Sequence, residues 1–481
     1  MAKFNNAVSN KTVNKDGHVA YKMTDKSKLV TQVLTSFFNE KKFYGDNSKD
    51  LTETVKRVAK TDPQFISNLA VFARREFNMR SVSHVLTAIL ANVPEGKPYV
   101  RRTVQGIALR GDDVTELMSF YLSTFGKPIP NSLKKGVSDV MKTFDAYTMA
   151  KYKGEGHAVK MRDLLCLCRP KPKNSDQEKL FKQCLEGDLE IPETWETQLS
   201  ANGNNRATWE KLIAGGKVGY MAMLRNLRNI VKANPDNLQK VLDRLSDREA
   251  VLRSRQLPFR FLSAYKTLKQ NGHVTSDVLD ALEAAIDASV SNLQQIPGTT
   301  VIAIDTSGSM SSQISAKSEI RCCEIAMLIG LIANRLCESS IVYTFDTSIE
   351  KLSVPKRAGI LYAAVNESRC GGGTNMDLPF QKMIRDKIVA DRAIIISDNM
   401  CNAGSSFYNR KPVQSLADEY RRKSGRDIWV HAIDLQGYGT QQFAGPKTNI
   451  ISGWSEKVFD FIALAEQGEG SLEKTIAAYQ W

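Results

Sequence analysis

No stretch of this 481-residue chain is apolar for long enough to cross a bilayer as a helix, since the longest run, Ile325 to Ala333, is about half the length required. Its first residues, MAKFNNAVSNKTVNKDGHVAY, lack the apolar core of a secretory leader. These absences predict a cytoplasmic chain with no membrane partner, and a monomer is expected. Cysteine is sparse: there are eight, with no C-x-x-C pair, and Cys166/Cys168 and Cys322/Cys323 lack zinc-site spacing. They read as buried free thiols, small hydrophobes in helical surroundings such as those of Cys322 and Cys337. There are five histidines, and none pairs with a nucleophile; His431, within DIWVHAID, reads as a buried strand residue. G-x-S-x-G, H-E-x-x-H and Walker A signatures are all missing, and GGGTN lacks the lysine of a phosphate-binding loop. The expectation is a non-enzyme.

The charge is present but unevenly placed. Of the net +14, residues 1–295 carry all of it, with 46 Lys and Arg against 32 Asp and Glu, while residues 296–481 hold 20 of each sign. A cationic excess confined to one region implies a polyanionic partner there, nucleic acid foremost; the other reading is a solvated surface kept for solubility.

The same boundary divides the secondary-structure pattern. Residues 1–295 read as successive amphipathic helices with almost no strand-like alternation. In DPQFISNLAVFARREF, Asp62 is a cap, Pro63 suits the first turn, and Phe65, Leu69, Ala73 and Phe77 share a face. SVSHVLTAILANVP places Val82, Leu86, Ile89 and Val93 inward before Pro94 ends the run; NSLKKGVSDVMKTF does the same with Asn131 as cap and Leu133, Val137, Val140 and Phe144 inward. Further helices are predicted over Tyr220–Val231, Phe259–Gln270 and Ser276–Leu293. Pro297–Gly298 breaks the last of these. Beyond it the strands TTVIAID, SSIVYTFD, RAIIISD and DIWVHAID alternate with helices over Ser315–Cys337, Asp377–Ile388 and Val413–Lys423, the pattern of a mostly parallel sheet covered on both faces. The predicted domains are therefore 1–295, all helical, and 296–481, α/β.

Parallel strands deliver their carboxyl ends to one rim. VIAIDTSGSM places Asp305, Ser307 and Ser309 after the first strand, AIIISD ends in Asp398, and CGGGTNMD carries Thr374 on a glycine-rich loop. Two carboxylates and three hydroxyls suit Mg²⁺ or another hard divalent cation, which takes oxygen ligands and retains waters, leaving a position for a partner's carboxylate or phosphate. Gly371 to Gly373 would let the backbone approach closely. Each piece alone is ordinary cap or turn chemistry. In this order, D-x-S-x-S, T, D resembles the metal-ion-dependent adhesion site of von Willebrand factor A domains.

A basic helical region followed by such a domain resembles the TROVE-module Ro family. GHVAYKMTDKSKLVTQVL is similar to its opening segment, DPQFISNLAVFARREFNMRSVSHVL and MAMLRNLRNIV to its helical signatures, and LPFRFLSAYKTL to the stretch before the A domain. The resemblance implies HEAT-like helices curved into a ring closed by the A domain. It also implies single-stranded 3′ ends of misfolded RNA bound in the central hole, Y-like noncoding RNA on an outer basic surface, and an adaptor role toward an exoribonuclease.

The residues offer their own cationic faces. Arg225, Arg228 and Lys232 lie beside the stripe Tyr220, Leu224, Leu227 and Val231, and Lys134, Lys135 and Lys142 lie opposite Leu133 and Val137. KYKGEGHAVKMRDLLCLCRPKPK adds Lys151, Lys153, Lys160, Arg162 and Arg169 against the acids Glu155 and Asp163, with His157 in the same loop, and is similar to the family's Y-RNA region. Vertebrate members carry histidine where this chain has Arg169, which still offers phosphate or base-edge contact. Two other functions fit the same residues: a metal-dependent adhesion module gripping an acidic partner, and a metal-dependent hydrolase.

Overall fold

A computed structural model describes residues 11–35, 48–154, 158–314, 318–355, 359–453, 457–468 and 472–481. Glu155, His157 and Ser315 to Lys317 lie outside them. The chain forms two compact units, one of Met1–Met23 with Thr194–Ser471, the other of Thr24–Glu193 with Leu472–Trp481. The change of secondary-structure pattern falls at Ile296, but packing divides the chain elsewhere. Helices Pro258–Gln270 and Ser276–Val290 pack on helices of the α/β part, and the earlier helices from Thr194 onward join it through them. Lys266 of helix Pro258–Gln270 pairs at 2.7 Å with the buried Glu324, and Glu283 of helix Ser276–Val290 accepts the Tyr362 N–H at 3.0 Å.

The unit containing Thr24–Glu193 is helical among its described residues. Helix Pro63–Arg75 begins as its sequence predicts: Asp62 accepts the Phe65 N–H at 3.0 Å, and Pro63 sits where no amide donor is needed. Helix Ser81–Asn92 is buried from Ser81 to Ala91 rather than amphipathic, because helices Pro63–Arg75, Lys97–Ile107 and Asp113–Phe125 pack around it. Helix Asn131–Met141 starts at Asn131, with Pro130 in the capping position and no side-chain cap; Leu133, Val137 and Val140 are buried and Phe144 half-buried.

The other unit is built on a six-stranded sheet of β3 (Ile296–Asp305), β4 (Cys337–Phe345), β5 (Ile349–Lys351), β6 (Arg392–Ser397), β7 (Trp429–Asp434) and β9 (Thr448–Ser452), in the order β5-β4-β3-β6-β7-β9. All pairs are parallel except β4 with β5. Pro297–Gly298 does not terminate a helix, which has already ended at Val290; it lies within the first residues of β3, where the register to β4 shifts between Ile296 and Thr299. The long apolar run forms helix Cys322–Leu336, buried along almost its whole length, and a Cβ at Gly330 would collide with Ile304 of the sheet beneath. It begins later than its sequence suggests because Gln313 and Arg321 first pair as a bridge, and it ends one residue before β4 begins at Cys337. The opposite face is covered by Phe380, Tyr420 and Phe443, from helices Leu378–Arg385 and Gln414–Ser424 and the segment preceding β9. Among the described residues, no helix is long and apolar enough to cross a membrane.

Two further features depart from the sequence expectation. Cys323 and Cys370 form a disulfide 47 residues apart, so the cysteines are not all free thiols; Cys166, moreover, is exposed. The N-terminal stretch is not helical from the outset: β1 (Lys11–Val13) and β2 (Val19–Lys22) form a hairpin that β8 (Thr440–Gln441) extends to three antiparallel strands. Strands this short carry too few alternating positions to stand out from a loop.

Candidate functional site

Four strands of the parallel sheet end on aspartate or run straight into one: Asp305 after VIAI, Asp346 after YTF, Asp398 after IIIS and Asp434 after HAI. Strand direction gathers them on one rim. Asp305 and Asp398 are fully buried. Asp305 Oδ1 accepts the Ser307 N–H at 2.8 Å, the Ser307 and Ser309 hydroxyls lie 3.2 Å apart, and the Met400 N–H donates to Asp398 Oδ1 at 3.2 Å. Thr374, also buried, arrives on the glycine loop. Gly308 donates to the Gly372 carbonyl at 2.9 Å and Gly371 to the Thr306 carbonyl at 2.9 Å, so the two loops are stitched together. Asn402, four residues beyond Asp398, then accepts the Thr374 N–H at 2.8 Å, while its own N–H donates to the Thr374 carbonyl at 3.1 Å.

The electrostatics of the rim are uncompensated. Burial pushes the Asp305 carboxyl well above the usual carboxylate range, and the charge of Asp398 pushes it further. Burial likewise raises Asp398 and brings Asp434 to about 7. Asp305 Oδ2, Asp398 Oδ2 and Asp434 Oδ2 are all buried without a hydrogen-bond partner among the described residues. Buried carboxyl oxygens without a partner are costly, and their charged form more so unless a cation meets it. The donor set is all oxygen, which fits a hard divalent ion. Among the described residues no three His, Cys, Asp or Glu side chains converge on one metal position. A cation here could therefore be held by the two carboxylates of Asp305 and Asp398 with the hydroxyls of Ser307, Ser309 and Thr374, Asp434 standing apart. Asp434 was legible in the sequence as one more strand ending in aspartate, and it escapes the D-x-S-x-S, T, D pattern.

The candidate cations fall in both units. On helix Tyr220–Ala233, Arg225, Arg228 and Lys232 are exposed, while Tyr220, Leu224, Leu227 and Ile230 are buried; Val231 is half-buried and Ile230 takes the inward place assigned to it. In the other unit, helix Met161–Cys168 packs on helix Asn131–Met141, and the charge of Lys134 reaches Cys168, whose thiol burial pushes up to about 12. The basic segment and the Lys134 stripe are thereby neighbours. Lys135, Arg162 and Arg169 are exposed, and Arg169 closes the helix in the left-handed region at φ 47°. Lys160 precedes the first turn and donates its N–H to Asp163 at 2.8 Å, and Lys153 is half-buried. Lys142 is half-buried and lies 3.8 Å from Asp139, so part of its charge is spent within the fold. Lys151 lies over the rings of Tyr147 and Tyr152, at 5.5 and 5.7 Å. These tyrosines, interleaved with cations, form an aromatic feature that charge counting alone passes over. His431 is buried in β7 against Glu466 at 2.9 Å, a structural position.

A basic helical region and an α/β domain with a rim of carboxylates and hydroxyls at the ends of its parallel strands define a two-part protein of helical array and A-type domain. The chain matches the TROVE domain over residues 19–188 and 186–277 and the Ro60 vWA domain over residues 299–433, and it belongs to the TROVE-domain Ro family. It is 27% identical over 224 residues to the RNA-binding protein RO60 of Deinococcus radiodurans (43% of this chain, 41% of the relative) and 28% identical over 250 residues to that of Caenorhabditis elegans (49% and 38%). It is also 26% identical over 348 residues to telomerase protein component 1 of Rattus norvegicus, 55% of this chain but 13% of that protein. The matched segments thus span well under half the length of these relatives. The crystal structure of the Deinococcus radiodurans RO (RSR) protein aligns with a TM-score of 0.65 at 17% identity, covering 92% of this chain and 100% of that one. That likeness is one of fold: a helical N-terminal region followed by a von Willebrand factor A domain with a mostly parallel central sheet.

Proposed function

We propose that the chain is an RNA-binding protein of Ro type that acts without catalysis of its own, taking Y-like noncoding RNA and the single-stranded 3′ ends of misfolded RNA on its basic helical surfaces. It serves RNA quality control in the cytoplasm, as a monomer, and hands RNA to an exoribonuclease. The observation that carries the reading is that the whole cationic excess falls in residues 1–295, the stretch that contains the TROVE match, with Arg225, Arg228 and Lys232 exposed beside a buried stripe. The relatives named RNA-binding protein RO60 support the same reading. Phosphate neutralisation by such residues releases counterions, so affinity falls steeply with salt.

The test is a gel-shift series on duplex RNA with and without a single-stranded 3′ tail, at several salt concentrations. The tailed RNA is expected to bind more tightly, and Arg225→Glu with Arg228→Glu to weaken binding and flatten the salt slope by about 0.7 per lost phosphate contact. Equal binding of blunt and tailed RNA, unchanged by the charge reversal, would refute the reading.

A second activity is favoured by the orphaned oxygens of Asp305 and Asp398. The rim holds Mg²⁺, with Ser307, Ser309 and Thr374 completing the protein ligands, and Mg²⁺ there supplies a Lewis-acidic position for a partner's carboxylate. Asp305→Ala should abolish Mg²⁺ binding in calorimetry and leave RNA affinity largely unchanged.

A further inference from the structure

Helix Ala146–Lys151 carries an aromatic side chain that the packing of its unit does not consume. Asp145 caps the helix by accepting the Thr148 N–H at 2.7 Å, and Met149 and Ala150 are buried on its inner side. Tyr147 lies on the outer side and is 50% exposed. Lys151, one turn further on, shares that side: its Nζ lies 5.5 Å from the centre of the Tyr147 ring and donates to the Tyr147 hydroxyl at 3.4 Å. An exposed ring with an ammonium over it costs apolar hydration without contributing to the core.

Tyr152 is placed differently. It is half-buried, and its ring lies on the turn between helices Lys97–Ile107 and Asp113–Phe125, so close that a Cβ on Gly111 would come within 2.5 Å of it. Arg110, on the same turn, stands 5.6 Å from the centre of that ring, and Lys151 stands 5.7 Å from it. Asp112 accepts from the Arg110 guanidinium at 3.2 Å and pairs with Arg80 at 2.8 Å, so Arg110 is held in direction while its side chain stays half exposed. Two cations are thus gathered on one buried-edge ring, and one of them also borders the open ring of Tyr147.

Single-stranded nucleic acid is held by this combination. Every base has a π-face that stacks on an aromatic side chain whatever the sequence, while cations beside the ring take the phosphates. A base already stacked inside a duplex has no such face to offer. The cluster also falls within residues 19–188, the first TROVE match.

We propose that Tyr147 is a stacking platform for an unpaired RNA base, with Lys151 at the adjoining phosphate and Arg110 further along the strand. This deepens the RNA-binding reading given above and rests on it, and it names unpaired nucleotides rather than duplex as what this face takes.

The full chain and its variants are compared in fluorescence anisotropy with a labelled oligouridine and with an abasic ribose–phosphate oligomer of equal length, which keeps the charges and lacks the bases. The unsubstituted chain is expected to bind oligouridine more tightly than the abasic oligomer. Tyr147→Ala, an exposed change, should weaken oligouridine binding on the order of tenfold and leave the abasic oligomer unaffected, whereas Tyr147→Phe keeps the ring and the affinity. Lys151→Gln should weaken both oligomers and flatten the salt dependence. Photocrosslinking of an oligomer carrying 5-iodouridine should map to Tyr147. If Tyr147→Ala binds oligouridine as the unsubstituted chain does, while Arg225→Glu with Arg228→Glu weakens it, the stacking platform is refuted and the RNA-binding reading stands. If the unsubstituted chain binds neither oligomer nor the tailed duplex, the RNA-binding reading fails and this inference falls with it.

Discussion

Two buried aspartates in this protein have opposite surroundings. Asp113, on helix Asp113–Phe125, accepts hydrogen bonds from Arg74 at 3.0 Å, Arg80 at 2.6 Å and the N–H groups of Leu109 and Arg110, with His84 Nε2 3.2 Å away. Burial pushes its carboxyl up, but His84, Arg74 and Arg80 more than offset that and hold it far below the usual range. Asp305 is as deeply buried and is met by another carboxylate instead of a guanidinium, with one oxygen unpartnered among the described residues. A buried acid ringed by cations is a structural pin. One that faces other acids keeps its proton to a far higher pH, because burial and like charge both disfavour the carboxylate.

The contrast can be broken most forcefully at the pin. Asp113→Asn strands the buried guanidinium of Arg74 and should cost about 3–5 kcal/mol in chemical denaturation. Because the folded carboxyl of Asp113 is depressed, its contribution is present above the unfolded value of 3.8 and is lost as pH falls below it. Glu466 behaves similarly and more mildly: its bonds to Arg392 and His431 outweigh burial and hold it at about 2 against 4.5. Acid unfolding of the parent chain should therefore steepen between these values, and Glu466→Gln should remove that component.

On the rim the sign reverses. Asp434 sits at about 7, so the folded state keeps its proton while the unfolded chain releases it above 3.8, and stability falls as pH rises between those values. Asp434→Asn keeps an oxygen for the Gln436 and Gly437 N–H groups and should stabilise the metal-free protein at pH 8 by roughly 2–3 kcal/mol, with a smaller gain at pH 5, read by urea denaturation. Smaller still, saturating Mg²⁺ should raise the Tm of the parent chain by about 2–4 °C and leave Asp305→Ala unmoved. An Asp305→Ala protein that gained equally would place the cation elsewhere.

The sequence disclosed the rim better than the surfaces around it. Strands ending on Asp305, Asp398 and Asp434 are legible because doubly buried strands are continuous apolar runs with abrupt polar ends. The cap at Asp62 was legible because its chemistry is local. Burial all around helix Ser81–Asn92 was not, since it depends on three neighbouring helices; nor was the Cys323–Cys370 bridge, whose partners are remote in the chain. The division into units escaped for a related reason. A pattern change at Ile296 marks where strands begin, whereas packing is decided by pairs such as Lys266 with Glu324. The N-terminal hairpin lay in a stretch with almost no periodic signal, and its docking follows from anchors hundreds of residues away.

Those anchors bear on synthesis. His18 meets Gln442 across 424 positions, so a nascent hairpin leaves the ribosome long before its docking strand is translated. The hairpin thus waits for a partner made hundreds of residues later, and translation must run nearly to β9 before it can settle.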